Sequence, residues 1–417
     1  MIDYTRHSLN NGLILLINID HTTPLVAVNI LYNVGSKDEH EDKTGFAHLF
    51  EHLMFGGSVN IPDFDTPLQN AGGENNAFTN SDITNYYDTV PIENFETVLW
   101  LESDRMLQLG FNKKSLSTQR KVVVEEFKET CLNQPYGDAW HLLSDMVYKE
   151  HPYRWPTIGL VPEHIENARL EDVKSFFTKY YCPSNAIMAI SGPVDTEPTL
   201  ALVEKWFGDI PAGNKNLRNL PVEAPQQAYQ KKIQYANVPA DNIYMAFKMP
   251  GRMDPGFYAI DLLSDIMGDG QSSRLYEHLL KELKKFAYID AYITGSIEPG
   301  MFVIEGKPTD GVTVEEAEEL IWAEIDQLKT ELIPTDELLK LKHIQETSNA
   351  FSETSALNKA INLSYYELLG EPNLINTEFD YYNAVTPEEI RQAAVDILNK
   401  VNCSVLIYKQ NKEQVLA

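Results

Sequence analysis

The chain has 417 residues, which predicts two or three domains, and its 43% hydrophobic and 10% aromatic content is typical of a globular protein. A formal net charge of −27, from 61 acidic and 34 basic residues, argues against nucleic acid as a partner and leaves neutral or basic peptides acceptable. No apolar run approaches the roughly 20 residues that span a bilayer, so we expect no membrane partner.

The first residues, MIDYTRHSLNNG, lack the basic-then-apolar pattern of a signal peptide. Three scattered cysteines without a CxxC pair do not form a disulfide framework and favour a reducing compartment. We therefore expect a cytoplasmic protein, or a periplasmic one if a leader has been removed.

The predicted elements mix strands and helices along the chain. Aliphatic and β-branched runs predict strands, and longer amphipathic runs predict helices. The strands are expected at 13–19, 25–32 and 75–90, and the helices from Gly45 onward and at 91–109, 115–130 and 170–181. This order, with several antiparallel hairpins, predicts the α+β class.

The two halves of the chain resemble each other. A strand, a glycine-containing loop and a helix after Gly45 have the same layout as the segment around Gly256. The helix-then-strand segments 170–192 and 387–409 also match. We therefore expect two tandem homologous α+β domains, a duplicated fold.

The proposed boundary between the halves lies in a stretch rich in Pro, Asn, Gly and Ala, at 211–227. The sequence thus predicts an N-terminal domain at 1–215, a linker at 216–228 and a C-terminal domain at 229–417.

The first half carries a polar motif inside the helix that follows Gly45. His48 and His52 are four residues apart and share one face of a helix, with Glu51 beside them. Two imidazoles at this spacing can bind one Zn²⁺, and an adjacent carboxylate can accept a proton from an attacking water. At the aligned places, the second half has only Ala259, Leu262 and Leu263.

A zinc site of this kind needs a third protein ligand, and the helix at 118–130 offers three glutamates. Glu125 and Glu129 fall on a charged face with neighbouring lysines, whereas Glu126 follows Val122 by four residues and Val123 by three. The helix face favours Glu126 and leaves the other two open.

These motifs resemble a known family. HxxEH with a distal glutamate on a VVxEE-like helix resembles the inverted zinc motif of the inverzincins. The chain is similar to the pitrilysin/insulinase group, which includes the mitochondrial processing peptidase. Four further segments carry the likeness through most of the chain: 72–87, 151–159, 180–195 and 272–289.

The resemblance implies a zinc endopeptidase acting on peptides or unfolded segments. It implies Zn²⁺ bound by His48, His52 and Glu126, with Glu51 as general base. It also implies two halves that close like a clamshell around the substrate, and a homodimer or a heterodimer with a related chain.

Substrate contacts are also implied by the resemblance. Asn76, Ala77 and Phe78 would lie on an edge strand that captures the peptide by β-augmentation. In the second half, Lys281 and Tyr288 occupy the places of an Arg and Tyr pair that contacts substrate near the zinc.

Two positions depart from the family pattern. Gln119 replaces a second glutamate, and Lys281 keeps the charge of the usual arginine but not its fork geometry. Two alternatives stay open: a zinc-binding chain that is active only with a partner, and a non-catalytic peptide-binding or scaffold homologue.

Overall fold

The computed structural model describes residues 1–110 and 112–411. Helices and sheets are mixed along the chain, which confirms the α+β class. Within the described residues, the strands of the first half form one sheet of six. They are β1 (Thr5–Ser8), β2 (Ile14–Ile19), β3 (Leu25–Tyr32), β4 (Glu74–Thr79), β5 (Thr84–Pro91) and β6 (Ala186–Gly192).

The strand order in this sheet is β1-β2-β6-β3-β5-β4. β2 pairs with β6 in parallel and the other neighbours are antiparallel. β3 and β6 are buried along almost their whole length because both faces of the central sheet are covered. β4 lies at one edge and pairs only with β5.

The α-helices of the first half include the one that carries the HxxEH residues. They are α1 (Phe46–Met54), α2 (Asp65–Asn70), α3 (Phe95–Leu107), α4 (Lys113–Phe127), α5 (Ala139–Val147), α6 (Pro162–Glu166), α7 (Leu170–Tyr180) and α8 (Thr196–Phe207).

The second half contains a five-stranded sheet and six further α-helices within the described residues. The strands are β7 (Gln230–Ala236), β8 (Asn242–Lys248), β9 (Phe286–Ile293), β10 (Met301–Pro308) and β11 (Cys403–Gln410). The helices are α9 (Phe257–Gly268), α10 (Val314–Thr330), α11 (Thr335–Ser352), α12 (Ala356–Leu368), α13 (Leu374–Ala384) and α14 (Pro387–Ile397).

The two sheets have the same topology. The second sheet runs β7-β11-β8-β10-β9, with β7 and β11 parallel and the remaining pairs antiparallel. This order matches β2-β6-β3-β5-β4, and β1 is the only addition in the first sheet. The duplication predicted from the sequence is therefore present in the strand order, and the edge strands β4 and β9 correspond.

The helix that follows β3 in the first half begins in the same way as the helix that follows β8 in the second half. Gly45 before α1 and Gly256 before α9 have φ values of +86° and +85°. Glycine adopts this left-handed conformation without the steric cost that a Cβ imposes. The aligned residues Ala259, Leu262 and Leu263 are all buried in the second core, as expected for a helix without polar chemistry.

The compact units do not follow the two halves of the chain exactly. One unit comprises 1–128, 155–220 and 349–377, and the other comprises 129–154, 221–348 and 378–417. The division predicted at 1–215 and 229–417 therefore differs at two segments, although the break at 220/221 falls inside the predicted linker. The described linker residues 216–228 contain no helix or strand.

Two segments, 129–154 and 349–377, belong to the compact unit of the other half of the chain. Each of these exchanged segments carries a helix that covers one face of a sheet. α12, from late in the chain, packs on β3 and β6 of the first sheet. There Ser364 Oγ lies 2.6 Å from Asn29 Nδ2, and Lys359 pairs with the buried Asp20. α5, from the first half, packs on β8 and β11 of the second sheet. A sheet with two apolar faces needs a layer on both sides, and these helices supply one.

Local predictions differ from the structure in a few places. The strand expected at 75–90 is a hairpin of β4 and β5, because Asn80 turns the chain by accepting the N–H groups of Asp82 and Ile83 at 2.7 and 2.9 Å. In the first half, β1, α2, α5, α6 and α8 have no counterpart among the elements that the sequence pattern predicts. Among the described helices, none has the length and apolar character needed to cross a membrane.

A matched pair of glycine substitutions tests the two helix starts. A Cβ on Gly45 would lie 2.7 Å from the Ile158 carbonyl oxygen, whereas a Cβ on Gly256 would have nothing within 4 Å. We expect Gly256→Ala to lower the free energy of unfolding by about 1 kcal/mol and Gly45→Ala by clearly more. Calorimetric unfolding of both variants measures this, and equal losses would contradict the crowding at Gly45.

Candidate metal centre

α1 carries the HxxEH residues on the side opposite to its core contacts. Leu49, Phe50 and Leu53 are buried, while His48, Glu51 and His52 are only partly buried. Phe50 stacks on Phe176 with ring centroids 4.8 Å apart, which holds the helix against an aromatic layer from α7. The helix period therefore presents both imidazoles on one accessible face.

Three candidate ligands converge between α1 and α4, which pack against each other. His48 Nε2 lies 3.3 Å from His52 Nε2. The Glu126 carboxylate approaches these two nitrogens at 3.6 and 3.3 Å. One ligand atom from each residue lies within 4.8 Å of the others, and within the described part of the chain this is the only such cluster of three or more.

The position of Glu126 follows from the face of α4. Glu125 is exposed and pairs with Lys128 at 2.7 Å, and Glu129 is also exposed. Of the two valines used to place Glu126 on an apolar side, Val123 is fully buried but Val122 is 44% exposed. The helix-face argument thus selects the residue that the structure brings to the histidines, although only Val123 supports it.

Burial favours the neutral form of His48, which is the form that can bind a metal. Its side chain is 13% exposed, and burial, reinforced by the neighbouring His52, lowers the pKa of His48 from 6.5 to about 4. A neutral imidazole can donate a lone pair to a metal. Its buried Nδ1 has no hydrogen-bond partner in the described structure, so the ring is not fixed as an ordinary core histidine.

The donor set fits zinc. Two imidazole nitrogens and one carboxylate match the three protein ligands of open zinc sites, which leave a fourth position for water or substrate. Glu51 lies on the same helix between the two histidines in sequence. Its carboxylate makes no hydrogen bond or ion pair with another described residue, which leaves it able to accept a proton.

The implied substrate strand is the edge strand β4. Asn76 is exposed, and Ala77 and Phe78 are half-buried. β4 packs beside α1, so this edge runs next to the helix that carries the histidines. The Ala77 N–H lies 2.8 Å from the Asn76 side-chain oxygen.

The other residues that the family resemblance singles out are Gln119, Lys281 and Tyr288, and each has its own local contacts. Gln119 is half-buried on α4, two turns before Glu126. Lys281 belongs to a π-helical segment, Leu275–Glu282, and pairs with Glu277 at 2.8 Å. Tyr288 lies on β9, is 43% exposed, and its hydroxyl lies 3.2 Å from Asp290 Oδ2.

Comparisons with known proteins agree with this fold. The family model described as "Insulinase (Peptidase family M16)" matches residues 14–158, and the model described as "Peptidase M16 inactive domain" matches 167–345. The zinc protease PqqE of Helicobacter pylori is 31% identical over 350 residues, which cover 80% of this chain and 77% of that protein. The chain belongs to the M16 peptidase family, which confirms the resemblance stated from the motifs.

Two further comparisons support the assignment. A crystal structure of a protease from Helicobacter pylori superposes with a TM-score of 0.91 at 25% identity, covering 98% of this chain and all of that one. The mitochondrial-processing peptidase subunit beta of Saccharomyces cerevisiae is 27% identical over 226 residues, 53% of this chain and 48% of that protein. The candidate metal centre of His48, His52 and Glu126 lies within the segment matched to the insulinase model.

The low pKa of His48 predicts a pH dependence of the metal-free protein. The unfolded chain binds a proton at this residue near pH 6.5, but the folded chain binds it only near pH 4. Stability is therefore lost as the pH falls through this window, by up to roughly 3 kcal/mol. We expect His48→Gln, with a chelator present, to flatten urea-unfolding stability between pH 4 and 6.5. If the free energy of unfolding changed with pH equally in the wild type and His48→Gln, the prediction would be wrong. The control is His21→Gln, at an exposed histidine, which should leave the pH dependence unchanged.

Proposed function

We propose that the protein is a zinc-dependent endopeptidase that hydrolyses peptides or unfolded polypeptide segments. The observation that carries the proposal is the convergence of His48, His52 and Glu126 within 4.8 Å, with Glu51 on the same helix. Membership of a family with named zinc proteases supports the same reaction.

Each residue has a distinct role in this proposal. His48, His52 and Glu126 would hold Zn²⁺, which when bound supplies a Lewis acid that lowers the pKa of a water toward neutrality and polarises the scissile carbonyl. Glu51 would accept the proton of the attacking water and pass it to the leaving amine. The low pKa of His48 keeps this imidazole neutral and able to bind the metal near pH 7.

The substrate would bind as an added strand along β4, beside Asn76, Ala77 and Phe78. Main-chain hydrogen bonds to an edge strand tolerate many sequences, which suits a peptidase of broad specificity. Lys281 and Tyr288 would also contact the substrate, as the family resemblance implies. We further propose a dimer, either of this chain or with a related chain, because family members of this length usually pair.

The first test concerns the general base. We expect Glu51→Gln to lower kcat for a quenched peptide by roughly 10²–10⁴-fold, because the amide cannot accept the proton. Bound zinc, measured by elemental analysis, should stay near one equivalent. Full activity in this variant would refute the assigned mechanism.

The second test distinguishes Glu126, the proposed third zinc ligand, from the neighbouring Glu125. We expect Glu126→Gln to lower zinc affinity by at least roughly 10-fold and to abolish cleavage, since a neutral amide is a poor zinc ligand. Exposed Glu125→Gln is the matched control and should bind zinc and cleave as the wild type does. Zinc affinity is measured by competition with a chromophoric chelator, and unchanged affinity in Glu126→Gln would exclude this residue as a ligand.

The same assays discriminate the alternatives. A non-catalytic scaffold homologue would hold less than half an equivalent of zinc. A chain that needs a partner would bind zinc fully but cleave no peptide alone. Glu51-dependent cleavage by the purified chain would exclude both, and native mass spectrometry of the same sample gives the assembly.

A further inference from the structure

A buried carboxylate braces the first turn of the helix that carries the histidines. Glu39, in the loop before α1, is 9% exposed. One of its oxygens accepts the Gly45 N–H at 2.9 Å, and the other accepts the Ala47 N–H at 2.7 Å. Ala47 directly precedes His48, so this brace acts one residue from a candidate ligand.

The loop that carries Glu39 is itself fixed to its own unit. Trp155 Nε1 donates to the Ser36 carbonyl at 2.7 Å. Asp38 accepts the Gly35 N–H at 3.0 Å and pairs with Arg218 at 2.7 Å. The loop residues just before Glu39 are therefore fixed, and the hydrogen bonds of Glu39 join this loop to the start of α1.

The second half shows that the fold does not need this brace. Asp254 accepts the Gly251 N–H at 2.8 Å, as Asp38 does from Gly35. From that glycine to the helix-start glycine, however, the first half has ten residue steps and the second half has five. The shorter loop has no counterpart of Glu39, and no described carboxylate accepts an N–H from the first turn of α9.

We propose that Glu39 is a positioning residue of the metal centre, which sets the location of α1 and hence of His48 relative to Glu126. The inference rests on the proposed zinc function. Metal sites require their ligands within about 0.5 Å of the productive geometry. The partial positive charge at the N-terminus of a helix also favours an acidic brace there.

Both oxygens of the Glu39 carboxyl accept a backbone N–H group. Burial raises the pKa of this carboxyl, while the N–H groups of Ala47 and Gly45 oppose the increase. Replacement by glutamine leaves a single acceptor oxygen, because the amide NH₂ can only donate. The NH₂ group would therefore face one of the two backbone N–H groups, and that hydrogen bond would be lost.

The test compares Glu39→Gln with a matched control in the other unit. The side chain of Glu223 is 7% exposed, and its carboxylate also accepts backbone N–H groups, from Lys149, Glu150 and His151 at 2.9, 2.8 and 3.0 Å. We expect Glu39→Gln to lower zinc affinity by roughly 10–100-fold, as removal of supporting hydrogen bonds does at other metal sites. It should also shift the visible spectrum of the Co²⁺-substituted protein. Glu223→Gln should change neither.

The outcomes separate this inference from the function on which it rests. Wild-type zinc affinity and an unchanged Co²⁺ spectrum in Glu39→Gln would overturn the positioning role, and so would equal losses in the two variants. If the wild type itself binds no zinc, the proposed function fails instead. If Glu39→Gln does not fold, Glu39→Asp replaces it. The shorter carboxylate cannot reach both N–H groups, so wild-type affinity there would equally overturn the inference.

Discussion

The candidate metal centre depends on the packing of α1 against α4. The two imidazoles come from one helix and the carboxylate from another, 74 residues later than His52. Each helix buries an apolar side, with Leu49 and Phe50 on α1 and Val123 on α4, and this burial fixes their separation. The polar side chains then meet at 3.3–3.6 Å without any covalent constraint. The hydrophobic core thus determines the ligand geometry.

The duplicated second half serves as an internal reference for this arrangement. α9 begins from the same left-handed glycine as α1 but buries Ala259, Leu262 and Leu263. Apolar residues at these places stabilise the helix at no electrostatic cost, whereas two histidines and a glutamate lose solvation unless a partner compensates them. The first half carries the polar residues despite this cost, and Glu39 accepts two N–H groups at the start of its helix. The described part of the second half has no counterpart of Glu39. Both differences concern the same helix, which is why they point to one site.

α5 and α12 each pack on the sheet of the other half of the chain. The reason lies in the coverage of the two sheets and not in the metal centre. The central strands of each sheet, β3 and β6 in the first and β8 and β11 in the second, are buried on both faces. α12 completes the first unit through the Asn29 and Asp20 contacts, and α5 completes the second through a core that includes Leu406 and Tyr408. Covering each sheet with a helix distant in sequence makes each unit depend on both halves of the chain.

The sequence by itself determined the α+β class, the duplication, the strands at 14–19 and 25–32, and the HxxEH motif, because these depend on local periodicity and residue chemistry. It also favoured Glu126, through one buried face of α4. Only the tertiary structure brought Glu126 to the histidines, placed α5 and α12 on the sheet of the other half, and showed the hydrogen bonds from Gly45 and Ala47 to Glu39. These features arise from contacts between segments far apart in the chain or from backbone N–H groups, and neither leaves a periodic pattern in the sequence.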